Sequence, residues 1–362
     1  MESLTRLKEP LNLYGLVRKG EGLAYVLDIG TKHDYLPVIG QIKSDCLMPD
    51  GYDLFGFLKD NDSVFYYKEN GQWIMIEKIV MDLDDAYKRT PFPASLMEKL
   101  KEAVIVIFGL GSGGSRLAVG LTRDGVSQFR LVDPDTFAIE NVSRHECDLL
   151  DIGRDKVEAV KERILMVDPL AKIETFPFDI FGENEAIKEK VFDKANLVIA
   201  STDRTKVQLK INSECWKRKI PALFTGCYDE ARAGEVFYVI PGETAVCYEC
   251  LRGGTKQQEK PRQYDYSQAR DSEKYKGEPG LNAAINFISD VAEQYAVALL
   301  LRKENCEMAR LIDPKRNLLF IGGALGKGFY YLKDSCCFGR PFDFVFPVLK
   351  GPWKDCGTCQ VK

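Results

Sequence analysis

No apolar run in this chain approaches the ~20 residues that a membrane-spanning helix needs, and no block of lysine and arginine marks an anionic membrane surface as its partner. A basic excess is missing too. Fifty Lys and Arg against 54 Asp and Glu leave a formal charge of −4, which gives no electrostatic case for nucleic acid. Histidine is scarce: there are two, His33 and His145, and His33 has no partner nearby in sequence. The opening MESLTRLKEPLNLYG lacks the apolar core of a signal peptide. The eleven cysteines are an odd count for a fully disulfide-bonded chain. These absences set the expectation of a cytoplasmic chain with neither a membrane nor a nucleic-acid partner.

What is present is ordinary for a globular enzyme: 45% apolar and 29% charged residues in a 362-residue chain. That length holds one large domain and a small one, or two of medium size. Residues 1–95 read as a small strand-rich domain. Short apolar runs such as GLAYVLDIG and DLFGFL are separated by Gly, Asp and Asn turns, and ENGQ (69–72) is a hairpin signal. The run KRTPFPAS ends it, and Ser95 is expected to cap the helix LMEKLKEA. The second domain spans 96–362, and from residue 103 its strands and helices alternate. Strands are expected at AVIVIF, QFRLVD, KIETFPF, NLVIAS, PALFTG and EVFYVIPG. This predicts an α/β fold with a mostly parallel sheet and helices on both faces. The segment 251–279 is polar and almost free of aliphatics, which marks it as a mobile functional loop. The tail (NLLFIGG, GFYYLK, FDFVFPVL) reads as antiparallel strands closing the sheet.

The stretch VIVIFGLGSGGSRLAVGLTRDG (104–125) runs from a buried strand through glycines into an amphipathic helix. Gly109, Gly111 and Gly114 stand at the spacing that brings a phosphate to a helix N-terminus. Alone they fit a tight connection equally well. Asp133 ends the next strand, where a carboxylate accepts hydrogen bonds from ribose hydroxyls. A nicotinamide enzyme would share these features.

The residues downstream favour ATP. Attack on the α-phosphorus of a triphosphate requires its negative charge to be neutralised. Arg144 offers a planar fork, and Lys156 a point charge at the head of the next helix. Asp203, just past the strand NLVIAS, is placed to hold Mg²⁺ through one carboxylate. Each of these taken singly is equally a solvated charge or a helix cap.

LVDPDTFAIENVSRH, GRDKVEAVKERI, NLVIASTD and the pair VCYEC and CGTC together resemble the ThiF/MoeB/ubiquitin-activating enzyme superfamily, in order over residues 96–362. The resemblance implies ATP as substrate and Mg²⁺ as cofactor. It implies that Asp133 holds the ribose, that Asn141, Arg144 and Lys156 contact the phosphates, and that Asp203 works with magnesium; Asp135 joins the expected ATP-binding set. It further implies a homodimer in which an arginine upstream of the glycine loop reaches the partner's phosphates, and Arg89 is the candidate. His145 falls where the family often has glutamine, and a structural hydrogen bond suits it better than proton transfer. A substrate carboxylate is already ionised, so its attack on the α-phosphorus needs no general base.

Cys247, Cys250, Cys356 and Cys359 form two CxxC knuckles, a standard tetrahedral thiolate set for structural Zn²⁺. Two unrelated buried pairs or a redox CxxC are the alternatives to a metal. Family members that pass the acyl group to a thiol often carry a cysteine in the loop after the first knuckle, and 251–279 has none. Cys227, after the strand PALFTG, is the possible thioester nucleophile. Cys336 and Cys337 rank no higher, and Cys215 and Cys306 read as buried.

The expected function is adenylation of the C-terminal carboxylate of a ubiquitin-like protein with a flexible tail, for transfer to a conjugating-enzyme or sulfur-carrier pathway. The N-terminal domain would recognise that carrier or the next enzyme. One alternative is adenylation of a short precursor peptide clamped by the N-terminal domain, as in enzymes of the microcin-maturation type. A non-catalytic scaffold is the other, and the intact Asp133, Arg144, Lys156 and Asp203 argue against it.

Overall fold

The computed structural model describes residues 10–18, 23–29, 36–43, 51–52, 54–59, 62–76, 78–80, 83–182, 185–228, 230–253, 280–327, 330–331, 336–349, 351–352 and 356–360. The expected loop 251–279 thus lies almost wholly outside the described residues, as does His33. The chain forms two compact units, residues 1–91 with 168–170, and residues 92–167 with 171–362.

The first unit is a seven-stranded mixed sheet. Its strands are β1 (Leu11–Arg18), β2 (Leu23–Ile29), β3 (Val38–Lys43), β4 (Leu54–Lys59), β5 (Asp62–Glu69), β6 (Gln72–Ile76) and β7 (Lys78–Val80), in the order β6-β5-β4-β3-β1-β2-β7. Leu13, Val26, Ile42, Leu54, Phe65, Tyr67 and Ile76 form its core. The ENGQ turn is present: Glu69 pairs with Gln72, and Asn70 and Gly71 both take positive φ, at 49° and 81°. A two-residue hairpin loop needs that backbone, and Asn-Gly adopts it at least cost.

In the second unit α1 (Ala94–Glu102) leads into β8 (Val104–Phe108), α2 (Ser112–Arg123), β9 (Gln128–Val132), α3 (Lys156–Val167), β10 (Lys172–Phe176), α4 (Glu185–Phe192), β11 (Leu197–Ala200), α5 (Thr205–Arg218), β12 (Ala222–Tyr228) and β13 (Ala233–Val239). Then come α6 (Tyr248–Gly253), α7 (Asn282–Leu300), β14 (Leu318–Gly322), the two-residue ribbon β15 (Tyr330–Tyr331) and β16 (Cys336–Cys337), and β17 (Phe344–Val345). Eight strands build one sheet in the order β10-β9-β8-β11-β12-β13-β14-β17. The first five run parallel. In β8, Ile105 and Ile107 face one helical layer with Leu117, Leu121, Val160 and Ala296, while Val106 and Phe108 face the other with Ile211, Cys215 and Phe192. A strand covered on both faces must be apolar at every position, which is why VIVIF shows no alternation.

Three expectations change. GFYYLK, expected among the strands that close the sheet, instead pairs Tyr330–Tyr331 with Cys336–Cys337 in a separate two-stranded ribbon. EVFYVIPG was grouped with the parallel strands, but β13 pairs antiparallel with β12. Only residues 229–232 separate them, far too few for a crossover. Ser95 does not cap α1: Pro93 is the N-cap, without a side-chain bond, and Ser95 is the second helical residue. Pro93 has φ −66° and ψ 157°, the extended backbone usual for an N-cap residue. Among the described residues no helix is long and apolar enough to cross a membrane.

Candidate active site

The sheet order reverses between β8 and β11, because β9 and β10 lie to one side and β11 to β17 to the other. At such a point the loops after the two strands diverge and leave a crevice at the carboxyl edge. Two loops meet there, 109–111 after β8 and 201–204 after β11. The Ser201 N–H donates to the Phe108 carbonyl at 2.9 Å.

The three glycines do different work. Gly109 has φ of +85°, and a Cβ there would lie 2.6 Å from the Ser201 carbonyl oxygen. At Gly114 a Cβ would come within 1.8 Å of the Gly109 oxygen. Both are required by the turn itself. Gly111, the N-cap of α2, has nothing within 4 Å of a notional Cβ and no side-chain cap. The fold itself leaves this position open. The first turn of a helix presents backbone N–H groups without intrahelical acceptors, and a phosphate satisfies them.

Asp133 directly follows β9 and is 5% exposed. One carboxylate oxygen accepts the Leu110 N–H at 2.5 Å, the other the Asp135 N–H at 2.8 Å. Burial pushes the Asp133 carboxyl up, against the opposing pull of the Lys156 ammonium. Each oxygen retains a second lone pair able to accept a further donor. Lys156, buried at the first position of α3, reaches Asp135 with Nζ at 2.9 Å from a carboxylate oxygen.

His145 grips the same loop from the other side. Its Nδ1 accepts the Cys147 N–H at 3.0 Å, so the proton resides on Nε2, which donates to the Leu110 carbonyl at 2.7 Å. Leu110 is thus held by both backbone groups. Burial pushes the imidazole down to about 4, with the nearby Lys156 charge adding to the effect against the Leu110 carbonyl. The ring is neutral near pH 7 and edge-on to Phe137 at 4.9 Å. The structural role expected for it fits this geometry. The clamp on Leu110 itself has no local signal in the sequence.

Asn141 closes the turn 138–141, its side-chain oxygen accepting the Ala138 N–H at 3.0 Å, and the Arg144 N–H donates to the Asn141 carbonyl at 3.0 Å. Arg144 is half-buried in this segment. Asp203 is exposed on the loop after β11, beside Arg204, whose N–H donates to Thr202 Oγ1 at 3.3 Å. The structure therefore gathers Gly109, Gly111, Gly114, Asp133, Asp135, His145 and Lys156 through direct contacts. Asn141 and Arg144 sit on the segment that carries His145, and Asp203 on the adjoining loop. Arg89 belongs to the first unit.

The four knuckle cysteines converge, all sulfurs lying within 4.8 Å of one another. Cys247 to Cys250 is 3.8 Å, Cys247 to Cys356 3.5 Å and Cys250 to Cys359 3.3 Å, and none is in a disulfide. Tetrahedral Zn–S bonds of ~2.3 Å imply sulfur–sulfur edges of about 3.8 Å, so the donor set fits that ion. Cys227 is half-buried near the carboxyl end of β12, and Cys215 is buried as expected. Cys306 is partly buried against the core.

A model of the ThiF family matches residues 84–320, more than half of the chain. The chain belongs to the ThiF family. Relatives include the ubiquitin-like modifier-activating enzyme 5 of Caenorhabditis elegans, 29% identical over 162 residues, which is 42% of this chain and 38% of that protein. The tRNA threonylcarbamoyladenosine dehydratase of Bacillus subtilis is 34% identical over 129 residues, 35% of this chain and 50% of that one. The chain thus spans half or less of the length of these relatives. Among solved structures, E. coli MccB with MccA-N7isoASN superposes with a TM-score of 0.52 at 18% identity, covering 73% of this chain and 69% of that one. E. coli MccB with ATP gives 0.51 at 17% identity, covering 73% and 69%. At this identity the likeness concerns the ThiF fold alone.

Proposed function

We propose that this ThiF-family chain is an ATP- and Mg²⁺-dependent adenylyltransferase that activates the C-terminal carboxylate of a ubiquitin-like protein for a conjugating-enzyme or sulfur-carrier pathway. The observation that carries the reading is the open Gly111 turn at the head of α2, flanked by Asp133, Lys156 and the Asp203 loop at the sheet's switch point. The named activating-enzyme relatives support it.

In this reading the α2 N-terminus and Lys156 hold the phosphates, Asp133 holds the ribose, and Asn141 and Arg144 complete the phosphate set. The substrate carboxylate oxygen forms a bond to the α-phosphorus. The bond to the bridging oxygen breaks, and pyrophosphate leaves with the electron pair, giving an acyl-adenylate. Asp203 would help to hold Mg²⁺, which when bound would neutralise phosphate charge. His145 fixes the loop and moves no proton. Cys247, Cys250, Cys356 and Cys359 would hold a Zn²⁺ in a structural role, four thiolates completing its usual coordination. Glu249 supports that site from its edge, accepting from the Thr358 hydroxyl at 2.5 Å. Cys227 is the thiol offered to the acyl group, although adenylation itself needs none.

The chain acts as a homodimer in which Arg89 of each subunit reaches the phosphates of the other. Ile139, Leu149, Leu150 and Ile152 support an interface: all are apolar and exposed, Leu150 to 90%. The N-terminal residues 1–95 recognise the carrier or the next enzyme. A second reading is adenylation of a short precursor peptide held by those residues. Pyrophosphate exchange into ATP separates the two, with ubiquitin-like proteins and short peptides added one at a time. Exchange only with a protein ending in a free glycine supports the first. Exchange only with a short peptide replaces it with the second.

A further inference from the structure

Gln208 and Asn212 stand one turn apart on the same face of α5, both buried. Both engage Tyr248, which lies between the two cysteines of the first knuckle. The Asn212 side-chain oxygen accepts the Tyr248 N–H at 3.0 Å. The Tyr248 hydroxyl donates to Gln208 Oε1, and Gln208 Nε2 donates to the Thr202 carbonyl at 2.8 Å. Thr202 is the residue before Asp203.

The chain of contacts continues behind Tyr248. Its hydroxyl accepts from Arg252 Nε at 2.9 Å. Arg252 is ion-paired with Glu235, which is 1% exposed, and donates to the Tyr228 hydroxyl at 2.9 Å. The Tyr248 ring stacks on Phe224 with centroids 4.2 Å apart, while the Arg252 guanidinium lies 4.9 Å from its centroid. This polar chain crosses an interior otherwise filled by Phe224, Phe237 and Phe320. Asn212 Nδ2 is buried without a partner among the described residues, but Gln208, the Tyr248 hydroxyl and Arg252 are mutually paired, and shifting any of them leaves a further buried donor or acceptor unpaired.

We propose that Gln208 is a positioning residue for Asp203, coupling the 201–204 loop to the four-cysteine knuckle through Tyr248. The inference rests on the reading of Asp203 as the carboxylate that works with magnesium. Gln208 fixes the backbone that carries Asp203 at the preceding carbonyl. Hydrogen-bonded supports of metal-binding groups typically change metal affinity by ~10–100-fold when removed. Arg252 acts further back, orienting the Tyr248 hydroxyl so that its proton points to Gln208.

The test is ATP affinity of the full chain by calorimetry, with excess Mg²⁺ and again in EDTA, read as the ratio of the two. Gln208→Leu and Tyr248→Phe are expected to lower the magnesium-dependent gain by about tenfold, with the EDTA affinity unchanged. Equal losses in both conditions, or no loss in either variant, overturn the coupling. Tyr248→Phe removes one oxygen and keeps the ring on Phe224, so it decides the matter if Gln208→Leu fails to fold. Asp203→Asn is titrated alongside. A full magnesium gain in that variant, or none in the wild type, refutes the reading of Asp203. Loss of the gain there but not in the other two variants refutes the coupling alone.

Discussion

The Lys156 ammonium lies 2.9 Å from the Asp135 carboxylate, and Lys156 is 7% exposed. The buried charge is therefore held ready at the head of α3. Triphosphate oxygens bring the stronger field, and Lys156 is expected to turn to them when ATP binds. Lys156→Ala should lower pyrophosphate exchange by about a hundredfold, the scale of losing one donor to developing charge. Exchange rates of the two proteins check it. An unchanged rate removes Lys156 from the chemistry.

Gly111 and Gly114 are predicted to separate binding from folding. Gly114→Ala forces a Cβ against the Gly109 carbonyl and should destabilise the second unit by about 1–3 kcal/mol. Gly111→Ala meets open space and should melt close to wild type while binding ATP more weakly. Thermal melts with nucleotide titration measure both. Matching melting losses would contradict the division of labour.

His145 makes stability depend on acid. Its imidazole is pushed down to about 4 by burial, whereas in the unfolded chain it titrates near 6.5. Between these values the unfolded chain binds more protons, so stability falls as pH drops through that window. The full effect is up to ~3 kcal/mol. His145→Gln, which keeps a donor without a titrating ring, should flatten that portion of the profile. Denaturant melts from pH 4 to 7 give the comparison, and an equally steep profile in the variant would contradict the assignment.

Cys356→Ser is expected to release one zinc per chain and lower the melting temperature, because metal binding to a folded thiolate set contributes directly to stability. Metal content by atomic emission, before and after substitution, is the check. Wild-type chain with no zinc would refute the site.

Much of this site was legible because its parts are local. The strand, turn and helix that hold Gly109, Gly111 and Gly114 occupy 104–125 without interruption, and Asp133 and Asp203 each follow a buried apolar strand. The cysteine knuckles announce themselves by spacing. The clamp on Leu110 joins residues 35 apart in sequence and the Gln208–Tyr248 bond joins residues 40 apart, so both depend on how helices pack on the sheet. The direction of β13 was misread because its apolar run is as continuous as those of its parallel neighbours. The short connection of residues 229–232, rather than composition, decides it.

The central claim is that a carboxylate attacks the α-phosphorus, and the products of ATP turnover test it most directly. With a ubiquitin-like protein ending in glycine, the purified chain should release pyrophosphate, with AMP carried on the acyl group and freed only as a thiol, an amine or water consumes the adenylate, and Asp203→Ala should release neither. Release of ADP and inorganic phosphate instead would place the attack at the γ-phosphorus and contradict adenylation.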